Sequence, residues 1–134
     1  MTLKNNPENE WECIFCCDKI KDRIVEGTDT FYAVKDGYPV TEGHLLVIPK
    51  RHVAEYFELS DAERREADNF MKCLYRNMVK NDPTITGYNI GVNCGFSAGQ
   101  SIFHLHYHLI PRRNGDTENP RGGVRGVIPG KRSY

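Results

Sequence analysis

Phe103-His104-Leu105-His106-Tyr107-His108-Leu109-Ile110-Pro111 places a histidine at every second position. An extended chain sends residues i, i+2 and i+4 to one face. Leu105, Tyr107 and Leu109 are therefore expected to face a core, with three imidazoles opposite them, whereas a helix would scatter the same residues around its axis. The stretch reads as a β-strand carrying an imidazole ladder, ended by Pro111, which cannot continue the hydrogen-bond pattern.

Upstream, the segment from Thr86 to Asn93 reads as a further strand leading into Cys94-Gly95-Phe96-Ser97-Ala98-Gly99-Gln100. Gly91, Gly95 and Gly99 permit close-lying backbone whose amides could cradle an anion, and Asn93, Gln100 and Ser101 add neutral donors. A plain glycine-rich connection would be the preferred reading if this loop stood alone. It runs straight into the histidine strand, so a phosphate site is expected.

The remaining histidines, His44 and His52, flank the run Leu45-Leu46-Val47-Ile48-Pro49-Lys50. Its apolar residues are consecutive rather than alternating, which predicts a strand over Gly43 to Lys50 covered on both faces. Before it come short β-rich runs, Arg23 to Glu26 and Phe31 to Val34, and a turn at Lys35-Asp36-Gly37. Ser60 with Glu63 forms a capping-box signature, and Pro83 stops the following pattern shortly after Lys80. Ala67, Met71, Leu74 and Met78 make one buried stripe on that helix. The connections are short, so the sheet is expected to be a mainly antiparallel meander with the helix on one face.

The 134 residues fit one domain, 1–134, with a loose tail over 1–10 and a basic arm over 114–134. No apolar run approaches the roughly 20 residues of a membrane-spanning helix. The polar start MTLKNNPENEWE has no secretory pattern, so a cytoplasmic protein is expected. Zero net charge argues against a nucleic-acid partner. From Arg112 onward six basic residues face Asp116 and Glu118, a surplus of four positive charges. Such a tail is either a solvated or dimer-contacting arm, or a collector of polyphosphate through its guanidinium groups. Cys13, Cys16, Cys17, Cys73 and Cys94 are odd in number and crowded at one end. A metal knuckle fits that pattern better than a disulfide framework.

Three chemistries suit the ladder: a metal cluster, structural imidazoles each needing a partner, or a nucleophilic imidazole held by its neighbours. Spacing leaves metal and nucleophile even. The adjoining phosphate-type loop favours the nucleophile.

Gly43-His44-Leu45-Leu46-Val47-Ile48-Pro49-Lys50-Arg51-His52, then Asn93, Ala98-Gly99-Gln100-Ser101 and His104-Leu105-His106-Tyr107-His108-Leu109-Ile110-Pro111-Arg112, resemble the histidine triad (HIT) family of nucleotide hydrolases and transferases over residues 13–113. That resemblance implies an α+β fold: a mainly antiparallel five-stranded sheet with one long and one short helix, usually in a homodimer. It implies His106 as nucleophile at the α-phosphorus, with a nucleotidyl-histidine intermediate released by water. His44 and His108 would bind phosphate oxygens. Gln100 and Ser101 would hold the α-phosphate and leaving-group side next to Gly99, with Asn93 supporting the loop and Asp36 binding ribose. A third histidine, His108, where transferring branches carry glutamine, favours hydrolysis. Some members hold structural zinc through a cysteine pair and two histidines, which by position would be Cys13, Cys16, His52 and His104, with Cys17 a bystander. A redox pair or an apolar turn are the other readings of Cys13 and Cys16. The substrate expected is a diadenosine polyphosphate. The alternatives are a nucleoside phosphoramidate or aminoacyl-adenylate, or a nucleotide-binding sensor module.

Overall fold

A computed structural model describes residues 13–16 and 18–134. The expected tail over 1–10 and Cys17 lie outside the described residues. Five strands form one sheet: β1 (Ile24–Gly27), β2 (Phe31–Lys35), β3 (Leu45–Pro49), β4 (Gly87–Val92) and β5 (Tyr107–Arg112). Helix α1 spans Asp61–Asn81. The short helical pieces are 3-10 turns, at Asp18–Arg23, Tyr56–Glu58, Phe96–Ala98, Gly123–Val127 and Pro129–Lys131.

Helix α1 starts where its capping box places it. The Ser60 hydroxyl accepts from the Glu63 N–H at 3.1 Å, while the Glu63 carboxylate accepts from the Ser60 N–H at 2.8 Å. It ends because Asp82 precedes Pro83 and takes extended backbone, as a residue before proline must. Ala67, Met71 and Leu74 are buried as the stripe predicts, and Met78 packs at its edge. Phe70 joins them. Each large member contributes about 1.5–3 kcal/mol through burial, so packing rather than propensity holds α1 to the sheet.

Every strand pairing is antiparallel, but the order is β1-β2-β3-β5-β4. The expected meander holds only for β1 to β3. A helix of 21 residues is about 30 Å long, and it carries the chain past the place beside β3. β4 thus becomes an edge strand, and β5 folds back into the gap.

Alternation then sorts two cores. Phe31, Ala33, Leu45, Val47, Leu105, Tyr107 and Leu109 face α1, as the histidine stretch predicts for its three apolar members. Tyr32, Val34, Leu46 and Ile48 face the other way, where Cys13, Phe15 and Ile20 cover them. The Tyr32 hydroxyl donates to the Phe15 carbonyl, tying this cover to β2. β3 is buried on both faces, as its unbroken apolar run predicts.

Two details of the histidine stretch differ from expectation. Only His108 lies on β5; the pairing with β3 stops at Val47 opposite Tyr107. Upstream of that point the chain leaves β3, and the Leu105 N–H donates to the Val53 carbonyl at 2.8 Å. His104 and His106 are therefore free of the ladder and diverge. Nor does Pro111 end the strand, since it pairs with Tyr88 and β5 runs on through Arg112. Its carbonyl accepts from the Thr41 hydroxyl at 2.6 Å on the side where β3 has already ended. The missing N–H of Pro111 points to that same side, so no ladder bond is lost.

Among the described residues, no helix is long and apolar enough to cross a membrane.

Candidate active site

The candidate site forms on the sheet face opposite α1, where β5 delivers His108 and the segment before it delivers His106. His106 Nδ1 lies 2.9 Å from the carbonyl of His104. A carbonyl only accepts, so Nδ1 carries the hydrogen and Nε2 keeps its lone pair. Burial lowers the His106 pKa, opposed by that carbonyl bond and by the charge of Asp36. The ring of Phe15 packs edge-on against His106 with centroids 5.1 Å apart. The result is a neutral imidazole with one uncommitted basic nitrogen.

His44 is fixed from the opposite end. Its Nδ1 accepts the Val40 backbone N–H at 3.0 Å, so the hydrogen of this ring sits on Nε2. Nε2 lies 2.9 Å from His108 Nδ1 and 3.3 Å from Asp36 Oδ2. His44 thereby donates to His108, which leaves the His108 hydrogen on Nε2. Burial lowers the pKa of His44 despite Asp36. Burial, reinforced by His106 and His44, brings His108 down to about 4. Asp36 Oδ2 is accordingly a second, longer-range acceptor for the same His44 Nε2 hydrogen rather than an ion-pair partner.

Asp36, His44 and His108 also bring three possible metal-ligand atoms together. His44 argues against a cation there: with Nδ1 bound to a backbone N–H, its Nε2 could coordinate only as an imidazolate. The hydrogen on His44 Nε2 instead holds His108 and Asp36 together. Asp36 Oδ1 accepts the Tyr38 N–H at 2.8 Å, closing the turn that the sequence places there.

The glycine-rich loop turns on Gly95 and Gly99, with φ of 90° and 95°. It is less open than an amide cradle. The N–H groups of Ala98, Gly99 and Gln100 donate to carbonyls within the loop, and that of Gly95 donates to Gln100 Oε1 at 2.9 Å. Gln100 is 2% exposed, and its Nε2 donates to the carbonyls of Ala54 at 2.6 Å and Ile102 at 3.1 Å. Its amide is thus committed to holding the loop. Ser101 is exposed, and Asn93 lines the groove beside His108.

Cys13, Cys16, His52 and His104 gather on the same face, their donor atoms all within 4.8 Å of one another. His104 Nε2 donates to the Pro49 carbonyl at 2.7 Å, which leaves Nδ1 as a lone-pair donor. That atom lies 3.1 Å from Cys16 Sγ and 3.4 Å from Cys13 Sγ. His52 Nδ1 is 3.1 Å from Cys16 Sγ, while its Nε2 is buried without a partner. Burial brings the His104 pKa down to about 4, only partly opposed by the Pro49 bond. Two sulfurs and two imidazoles suit a closed tetrahedral zinc site, so the residues present fit that ion.

The carbonyls of Pro49 and His104 and the N–H of Val40 set the tautomers of His104, His106 and His44. Sequence reasoning can expect neighbours and nearby carbonyls to fix a catalytic imidazole's tautomer, but not which ones, because main-chain groups leave no mark in residue identity.

An α+β fold that brings His106, His108 and His44 together at the head of a central strand suits histidine chemistry. A model of the HIT domain matches residues 18–115. The chain belongs to the HIT family. It is 44% identical over 86 residues to the AP-4-A phosphorylase of Mycobacterium tuberculosis, covering 63% of this chain but only 44% of that protein. Among solved structures, a HIT family protein from Bacillus subtilis superposes with a TM-score of 0.70 at 34% identity, covering 78% of this chain and 75% of that one. A Zn-bound histidine triad family protein from Mycobacterium smegmatis gives 0.65 at 30% identity, covering 82% and 81%.

Proposed function

We propose that the protein hydrolyses a phosphoanhydride at the α-phosphate of a nucleotide, with a diadenosine polyphosphate as substrate and His106 as the nucleophile. The observation that carries this reading is the Nδ1–H of His106 on the His104 carbonyl. It leaves the electron pair on Nε2. In the first step Nε2 forms a bond to the α-phosphorus, the bridging P–O bond breaks, and its electron pair leaves on the polyphosphate oxygen. The ring then carries a positive charge, which the carbonyl acceptor stabilises. In the second step water attacks phosphorus, the N–P bond breaks back onto the ring, and the water proton passes to solvent.

The neutral His108 Nε2–H, the His44 ring behind it and Ser101 are assigned to the phosphate oxygens, where negative charge grows. Gln100 and Gly99 shape the loop, Asn93 flanks it, and Asp36 steadies His44 while lying within reach of a ribose. Zinc held by Cys13, Cys16, His52 and His104 would fix the cover over the sheet and the strand entry at His104. It supplies cross-linking and takes no part in the reaction. The open edge of β4 supports a homodimer, because an unpaired strand edge invites a second copy.

The decisive experiment quenches the enzyme during turnover of diadenosine tetraphosphate and maps the modified peptide by mass spectrometry. Nucleotidylation of His106 is expected; turnover with no adduct at any histidine would remove the mechanism. A second reading, phosphorolysis, draws on the similarity to the AP-4-A phosphorylase, since inorganic phosphate could replace water in the second step. The products separate them: AMP reports water and ADP reports phosphate.

A further inference from the structure

The two residues that follow His52 offer their carbonyls to the two segments that build the candidate active site. The Val53 carbonyl accepts the N–H of Leu105, the neighbour of His106, at 2.8 Å. The Ala54 carbonyl accepts from Gln100 Nε2 at 2.6 Å. The stretch 52–54 thus carries a candidate metal ligand, a bond to the segment of His106 and a bond to the glycine-rich loop. At its head, the ring of His52 is weakly held by the protein alone. Its Nδ1 lies 3.1 Å from the sulfur of Cys16, itself a candidate ligand, and its Nε2 is buried without a partner. Coordination would replace that contact with a far stronger one, since metal binding orders the residues that supply it.

Gln100 is the crosslink at the other end. Its buried amide spends both Nε2 hydrogens, on the carbonyls of Ala54 at 2.6 Å and Ile102 at 3.1 Å, while Oε1 accepts the Gly95 N–H at 2.9 Å. Gly95 is the pivot of the loop, because its carbonyl accepts the N–H groups of Ala98 at 3.2 Å and Gln100 at 3.1 Å. Holding Gly95 therefore holds the turn that ends in Ser101. A side chain without the amide would leave the Ala54 carbonyl and the Gly95 N–H without these partners, and unmade bonds of this kind are costly.

We propose that Gln100 is a positioning residue that makes the order of the glycine-rich loop depend on the metal site, through the carbonyl of Ala54. A metal that fixes His52 fixes Ala54 two residues on, and Gln100 passes that constraint to Gly95. The dependence is reciprocal, as any coupling between two sites must be: a loosened loop weakens the hold on the metal. Gln100 touches no reacting atom in this scheme. Its effect on turnover rests on the reading above, through Ser101, whereas the coupling itself does not.

Two measurements test the coupling without substrate. The first is amide hydrogen exchange, read by NMR on zinc-loaded and zinc-stripped protein. Stripping is expected to speed exchange at Gly95, Gly99 and Gln100 by about tenfold while amides in the middle of α1 keep their rates. In Q100M, which keeps the side-chain length but lacks the amide, the loop should exchange fast with or without zinc. The second is the dissociation constant for zinc from chelator competition, which Q100M should raise by about tenfold although residue 100 is no ligand. Loop rates in wild type that ignore zinc overturn the proposal, as does equal acceleration across α1, which reports general unfolding. An unchanged zinc constant in folded Q100M overturns it too; should Q100M not fold, the wild-type exchange comparison decides alone. With diadenosine tetraphosphate, Q100M should raise KM by about tenfold and change kcat by less than about threefold. Failure of the wild-type protein to cleave that nucleotide defeats the hydrolase reading and leaves the exchange result standing, so the two failures are distinguishable.

Discussion

The carbonyl of His104 accepts the ring hydrogen of His106 at 2.9 Å, while the ring of His104 turns away to donate to Pro49 at 2.7 Å. Two side chains only two positions apart are thereby given different work. His104 points its Nδ1 lone pair at Cys13 and Cys16; His106 keeps its own on Nε2. A zinc-bound His104 would also anchor the carbonyl that orients His106, linking the candidate metal site to the candidate active site through one residue.

Replacing His106 by alanine is expected to lower kcat by at least about 10³-fold while the dissociation constant for a non-hydrolysable nucleotide changes little. Single-turnover kinetics and calorimetric titration read the two quantities. Turnover close to wild type would take the nucleophile's part away from His106.

Stability and activity should respond differently to acid. The folded His108 pKa of about 4 lies below its ordinary value of 6.5, and that of His44 is lowered as well. Between these values the unfolded chain binds protons that the folded one refuses, so unfolding free energy falls as pH drops from 6.5 toward 4. H108Q should flatten that slope in urea titrations at successive pH values. The acid limb of kcat/KM should lie below the free-imidazole value, because both rings stay neutral there.

Zinc should accompany the purified protein in stoichiometric amount, measured by elemental analysis. C16S is expected to lose it and to melt lower, by on the order of 5–10 °C. Chelation should lower the melting temperature of wild type and leave that of C16S unchanged. A wild-type protein that keeps its melting temperature without metal would contradict the site.

Glu63 has a second consequence beyond the start of α1. Bonds from Arg51 and Ser60 hold its pKa at about 2 against an ordinary 4.5. For a carboxylate lowered in this way the stabilisation is full above pH 4.5 and is lost as pH falls toward 2. E63A should cost about 1 kcal/mol near neutrality and remove that acid-range dependence, as followed by denaturant titration. Equal stability of E63A and wild type at pH 7 would show that the capping box contributes nothing.

Local rules made much of this protein legible. Period-two alternation placed Leu105, Tyr107 and Leu109 in the core, an unbroken apolar run announced the doubly buried β3, and Ser60, Glu63 and Pro83 bounded α1. The HIT resemblance rested on residue types at fixed spacing, and those are carried by sequence alone. Strand order was not legible, because pairing β5 with β3 depends on how far α1 carries the chain before it returns.

Sequence by itself therefore determined which residue types are present and which local elements they form: a set of histidines, cysteines and glycines on short strands around one capped helix. Tertiary structure decided which ring nitrogen of His44, His104, His106 and His108 carries the hydrogen. The partners that assign each ring its hydrogen are the backbone of Val40, Pro49 and His104, together with the ring of His44 for His108. A peptide group looks the same at every position, so only folding can choose which one meets an imidazole. The same holds for the arm: its charge was plain in the sequence, but the fold-back at Gly122 turned its valines, rather than its arginines, toward His108.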